Sequence, residues 1–150
     1  MPTLPVIVNS LVEMHSLGLA LGQKLTRGDV LLLNGSLGAG KTTLVQGIAA
    51  ALNISGVTSP TFVISRTYPA AIPLIHVDAY RLVGEPWALF DDLDLESQSS
   101  DAITVIEWGD GFVERIADEY LEVRIEFGEE DEQRILTLVP HGNRWNGFKL

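Results

Sequence analysis

Cysteine is absent from the 150 residues. That excludes a disulfide scaffold and any thiolate metal site, and a cytoplasmic location needs neither. No apolar run approaches the roughly 20 residues a membrane span requires. The opening Met1-Pro2-Thr3-Leu4-Pro5 lacks a basic segment followed by an apolar stretch, so no signal peptide is expected. Bases are scarce where acids are dense: between Asp91 and Glu132 sixteen acids face two bases, Arg115 and Arg124, a balance of −14 within a net charge of −10. A nucleic-acid binder usually carries a basic stripe, so strong binding of RNA or DNA by this chain alone is not expected. The acidic stretch reads first as a solvated surface, and alternatively as a docking face for a more basic protein. No internal repeat, low-complexity tract or linker divides the chain, and residues 1–150 read as one domain.

Hydrophobic residues make up 46% of the chain, enough for a sizeable core. Leu11, Met14, Leu17, Leu21 and Leu25 fall at helical spacing, with Ser10 and Glu13 forming a capping box. Val30–Leu33, Leu74–Asp78 and Ile103–Ile106 are short apolar runs of the kind buried on both faces of a parallel sheet. Phe62–Tyr68 is strand-like, and a helical or irregular stretch is expected up to about Ser97. Phe112 to Tyr120 has the spacing of a short amphipathic helix. Leu121–Phe127 alternates, and after a turn Arg134–Val139 returns, which predicts an antiparallel hairpin with one wet face. The expected fold is α/β: a mixed sheet flanked by helices with a C-terminal antiparallel hairpin, and the glycine-rich Gly35-Ser36-Leu37-Gly38-Ala39-Gly40-Lys41-Thr42 turn after Val30–Leu33 makes it P-loop NTPase-like.

The chemistry concentrates at Gly35-Ser36-Leu37-Gly38-Ala39-Gly40-Lys41-Thr42, a full match to the phosphate-loop pattern between an apolar strand and a helix. Glycines let the backbone wrap a phosphate, successive N–H groups form an anion nest, and the helix adds its positive end. Lys41 is expected on the β- and γ-phosphates, and the Thr42 hydroxyl on Mg²⁺. Such a loop needs a further acid at the end of a buried strand. Asp78 and Glu107 both qualify as catalytic or magnesium-shell residues, because parallel strands deliver their ends to one edge of the sheet. Thr61 lies in a loop that either carries a switch hydroxyl or is an ordinary proline turn. Trp108 is either core or a ring beside the nucleotide. His76 reads as a hydrogen-bonded, partly buried histidine, since His15, His76 and His141 show no metal spacing.

Rival readings lack their marks. Seven arginines contain no R-x-x-x-R lid of a small-molecule kinase, and neither N-K-x-D nor D-x-x-G of a GTPase is present. A module that binds nucleotide without turnover remains open.

GSLGAGKTT (Gly35–Thr43), TSPTF (Thr58–Phe62), HVDAYRL (His76–Leu82) and VIEW (Val105–Trp108), in this order, resemble the TsaE (YjeE) family of bacterial P-loop ATPases from near Leu17 to about Arg134. The resemblance implies hydrolysis of ATP with Mg²⁺ in support of tRNA threonylcarbamoyladenosine formation at position 37, acting with a TsaD–TsaB pair. It implies Lys41 on phosphate, Thr42 and Glu107 around Mg²⁺, and Asp78 in catalysis or metal binding. It also implies Thr43 within the nucleotide-binding segment, Trp108 near the nucleotide and Ser59-Pro60-Thr61 in a switch-like loop. Gly109 stands where family members often have Pro or Ala, which affects only the local turn. Pro140 to Leu150 match no pattern.

Overall fold

A computed structural model of the chain describes residues 2–36, 38–58, 65–79, 98–108 and 113–150. Its elements run β1 (Val6–Val8), α1 (Leu11–Gly22), β2 (Val30–Gly35), α2 (Lys41–Ala51), β3 (Ser65–Tyr68), β4 (Leu74–Asp78), β5 (Ile103–Glu107), β6 (Tyr120–Phe127) and β7 (Arg134–His141). The strands form one sheet in the order β1-β7-β6-β2-β5-β4-β3. The centre is parallel: β2 pairs with β5 on one side and β6 on the other, and β4 lies parallel outside β5. The three outer pairings, β3–β4, β6–β7 and β7–β1, are antiparallel. This is the mixed sheet and C-terminal hairpin that the sequence predicts.

Apolar alternation divides β2 between two cores. Leu31 and Leu33 face the helices, packing with Met14 and Leu21 of α1, Leu44 and Ile48 of α2, and Val105 and Val123 of the neighbouring strands. Val30 and Leu32 face the other way, against Ile75, Ile106, Val113, Ile116 and Tyr120. Burial on both faces explains why these strands are nearly continuous apolar runs.

The start of α1 follows the capping box in part. Ser10 Oγ accepts the Glu13 N–H at 3.1 Å, while Glu13 Oε2 accepts the N–H of Asn9, one residue before the cap. The helix then crosses α2 through glycine. A Cβ on Gly18 would lie 2.3 Å from the Leu44 carbonyl oxygen, and one on Gly47 2.2 Å from that of His15. Both clashes are with backbone, so glycine sets the distance between the helices. The buried face of α1 is Met14, Gly18, Leu21 and Gly22; Leu11, read as part of the apolar stripe, is 55% exposed.

One expectation needs correction, and two parts of the chain that carried no expectation prove structural. Within the span expected as an amphipathic helix, the described residues Val113–Arg115 make a single 3₁₀ turn and Tyr120 already belongs to β6. Val113 and Ile116 bury against the sheet as that turn and its exit, and strand pairing captures Tyr120 before a second helical turn forms. The N-terminal strand β1 was not expected; it covers the edge of β7. The C-terminal residues are also structural. Trp145 is 1% exposed within the helix-side core, and Arg144 grips buried Asp29 through Nε and Nη2, both at 2.9 Å. The expected stretch running to Ser97 lies almost wholly outside the described residues, as do residues 62–64 of the strand-like run that becomes β3.

Candidate functional site

β2 ends at Gly35 and α2 begins at Lys41, so the glycine-rich segment is the turn between a buried parallel strand and a helix. Gly38 and Gly40 have φ of 82° and 100°, a region where a side chain is strained. Gly40 is the N-cap of α2 and supplies no side-chain acceptor. The first N–H groups of the helix are therefore left for another partner.

Asp78 and Glu107 are the last residues of β4 and β5 and sit directly opposite one another in the parallel register. Glu107 is likewise opposite Leu33 of β2. Three adjacent strands thus deliver the loop and both acids to one edge and one face of the sheet, the face that carries α1 and α2. A pocket of about 310 Å³ opens there. Its lining joins Gly38, Gly40, Lys41, Thr42 and Thr43 of the loop and α2 to Asp78, Glu107 and Trp108 at the ends of β4 and β5, with Leu11 of α1. Of the remaining loop residues, Ser36 is exposed and Ala39 is buried. Leu37 and Thr61 lie outside the described residues.

Lys41 Nζ donates to the Gly35 carbonyl at 2.8 Å and sits 3.9 Å from the centre of the Trp108 ring. Trp108 is 37% exposed and has φ of 58°, a strained conformation for a bulky residue, directly after β5. Trp108 thus lines the pocket with its ring against the lysine ammonium. Burial pushes the Lys41 ammonium below the ordinary lysine value of 10.5, and the Glu107 and Asp78 carboxylates act in the opposite direction.

His76 is fully buried, more so than the sequence implies, and its Nε2 lies 2.6 Å from Glu107 Oε2. A carboxylate only accepts, so Nε2 carries the proton and donates. Nδ1 has no partner among the described residues. The histidine thus fixes one oxygen of a carboxylate that is itself nearly buried. Spacing gives no hint of this bond, because the two residues lie on different strands.

A cation, an uncapped helix end, a hydroxyl and two carboxylates converging on one pocket suit a polyanion accompanied by a hard divalent cation. Among the described residues no group of three or more His, Asp or Glu side chains is placed to hold a metal. Mg²⁺ does not need one: it keeps several waters and takes one or two carboxylates, with a hydroxyl where a phosphate loop offers one, beside the oxygens of a phosphate. Thr42, Asp78 and Glu107 fit that demand.

The family described as threonylcarbamoyl adenosine biosynthesis protein TsaE matches residues 8–136. A Streptomyces coelicolor protein named tRNA threonylcarbamoyladenosine biosynthesis protein TsaE is 46% identical over 139 residues, covering 88% of this chain and 93% of its own. A Mycobacterium tuberculosis protein of the same name is 42% identical over 144 residues, covering 90% and 83%. The crystal structure of Bacillus subtilis YdiB superposes with a TM-score of 0.77 at 30% identity, over 97% of this chain and 91% of that one. The matched span holds the glycine-rich turn, both strand-end acids, Trp108 and most of the sheet, and the chain belongs to the TsaE family.

Proposed function

We propose that this chain binds ATP with Mg²⁺ in the pocket at the end of β2 and hydrolyses it as an accessory to tRNA threonylcarbamoyladenosine formation, acting with a TsaD–TsaB-like pair. The observation that carries the reading is the register that sets Asp78 beside Glu107, with Lys41 and Thr42 across the same pocket. The relatives' names supply the pathway, and the donor set supplies the chemistry.

In this reading Gly35 to Thr43, Leu37 included, wrap the phosphates, with amides and the end of α2 turned to them. Lys41 exchanges the Gly35 carbonyl for phosphate oxygens, and Trp108 guides its ammonium toward the pocket. Thr42, Asp78 and Glu107 hold Mg²⁺, which when bound neutralises charge on the phosphates. Asp78 and Glu107 also orient the attacking water, with His76 keeping the Glu107 carboxylate in one position. Thr61 extends the site as a switch hydroxyl that responds to the γ-phosphate.

Two measurements test this. Titrating Mg·ATP into Lys41→Ala is expected to show affinity reduced at least about tenfold, because a charge-assisted contact to phosphate is lost. Asp78→Ala and Glu107→Ala are expected to keep nucleotide affinity within a few-fold and to lose turnover by about 100-fold, since they act where charge changes in the transition state. Wild-type affinity and phosphate release in Lys41→Ala would overturn the assignment. Binding by the wild type with no phosphate release, even beside the partner pair, would leave a nucleotide-binding module in place of an ATPase.

A further inference from the structure

Arg134, the first residue of β7, reaches back across the sheet to the outside of the glycine-rich turn. Its Nε donates to the Ala39 carbonyl at 3.2 Å and its Nη2 to the Gly38 carbonyl at 3.3 Å. The other edge of the guanidinium is fixed to the hairpin turn. Nη1 donates to the carbonyls of Asp131 and Gln133, both at 2.8 Å. The Phe127 ring, from the opposite arm of the hairpin, lies 4.6 Å from the guanidinium carbon. Four main-chain carbonyls from two segments far apart in sequence, 38–39 and 131–133, are thus gathered on one planar cation. Lysine has no such fork.

We propose that Arg134 is a positioning residue for the phosphate loop, holding it in its anion-receiving shape before nucleotide arrives. A planar trans peptide turns its N–H opposite its C=O. Fixing the Ala39 carbonyl outward therefore turns the Gly40 N–H toward the side the nucleotide occupies. Gly38 and Gly40 lack a Cβ and so restrain their backbones least, and an untethered loop would sample many shapes and lose affinity in settling on one. The guanidinium removes that freedom from behind, without touching the ligand. It also makes the hairpin turn 128–133 mechanically part of the site, because that turn holds the other edge of the cation.

The inference rests on the reading that this loop receives a nucleoside triphosphate, and the test keeps the two apart. Mg·ATP and Mg·ADP are titrated into wild type, Arg134→Lys and Arg134→Gln, and amide hydrogen exchange is followed in all three proteins without nucleotide. Both nucleotides are expected to bind about tenfold more weakly to Arg134→Gln, with Arg134→Lys between it and wild type. Exchange is expected to quicken across residues 38–42 and to stay unchanged in β2 and β5. Saturating ATP is expected to restore the wild-type turnover rate, so the loss falls on KM and not on kcat. Wild-type affinity with unchanged loop exchange in Arg134→Gln would overturn the inference. So would a loss of protection spread through β6, β7 and β1 with the loop no worse than the rest, since that marks a brace of the hairpin alone. If the wild type binds neither nucleotide, the proposed function fails, and the exchange comparison still decides whether Arg134 orders the loop.

Discussion

Glu122 shows how far a single residue can depart from the reading of its neighbourhood. It lies in the acidic stretch and on the face of β6 expected to be wet, yet it is 7% exposed. Arg124 Nε donates to it at 2.8 Å and Asn34 Nδ2 at 2.9 Å, with His141 Nε2 at 3.1 Å. Burial alone raises its carboxyl. Hydrogen bonds from Arg124, His141 and Asn34, with the Arg124 charge, outweigh that and hold it below the ordinary value of 4.5. A depressed carboxyl contributes stability that is complete above the unfolded-state value and is lost as pH falls through the folded one. Glu122→Gln places an amide nitrogen against donors and is expected to cost about 1–3 kcal/mol at pH 7. Urea unfolding of both proteins should show that gap steady from pH 7 to 5 and shrinking below 4.5. A gap that stays constant down to pH 3 would refute the linkage. Glu107 departs in the same way, and its position at the end of an apolar run did mark it as special. The alternation along β6 did not mark Glu122, which has one partner two residues on, Arg124, and two others from β2 and β7, Asn34 and His141.

At the scale of elements, strands buried on both faces were legible because their sequences have nowhere else to go. Their neighbours were not. Alternation in Leu121–Phe127 announces a strand and a hairpin partner, but not that this strand lies parallel to β2 on its other edge. The α1–α2 crossing was hidden for a different reason: it depends on Gly18 and Gly47, and an apolar-stripe reading gives weight only to large side chains. Gly47→Ala is expected to destabilise the protein by about 1–3 kcal/mol, since the new methyl meets the His15 carbonyl and the helices must part. Thermal melts of the nucleotide-free protein check this, and an unchanged midpoint would show that the crossing is looser than the contacts indicate. Similarly, Trp145 and Arg144 lie in a segment without a pattern, and only their partners in the core and on Asp29 explain them.

For the molecule as a whole, charge is the property that reaches furthest. Glu114, Asp118, Glu119, Glu126, Glu129, Glu130, Asp131 and Glu132 are all exposed, and the last four lie in the same hairpin turn to which Arg134 is fastened. A surface of one sign steers association with a basic partner and repels bare RNA. ATP hydrolysis is expected to rise with the TsaD–TsaB pair and not with tRNA alone, and association with the pair to weaken as salt increases from 50 to 500 mM, conditions over which the screening length falls several-fold. Stimulation by tRNA alone would remove the protein pair from the mechanism, and salt-insensitive association would remove the acidic surface from it.

The order in which strands are added to β2 has a consequence for how the chain assembles. α1 and α2 are separated by one strand and can pack on each other as soon as both exist. β2 between them finds no strand partner until residues 103–107 and 120–127 arrive. Late, long-range pairing is slow relative to local helix formation. The turn that follows β2 is therefore finished last, although it lies in the first third of the sequence. On dilution from urea, recovery of Mg·ATP binding is expected to trail the helical circular dichroism signal; simultaneous recovery would show that the sheet closes around β2 in one step with the helices. A nascent chain halted before β6 would accordingly carry the glycine-rich segment on a strand with an open edge, a form exposed to pairing with other chains until the hairpin seals it.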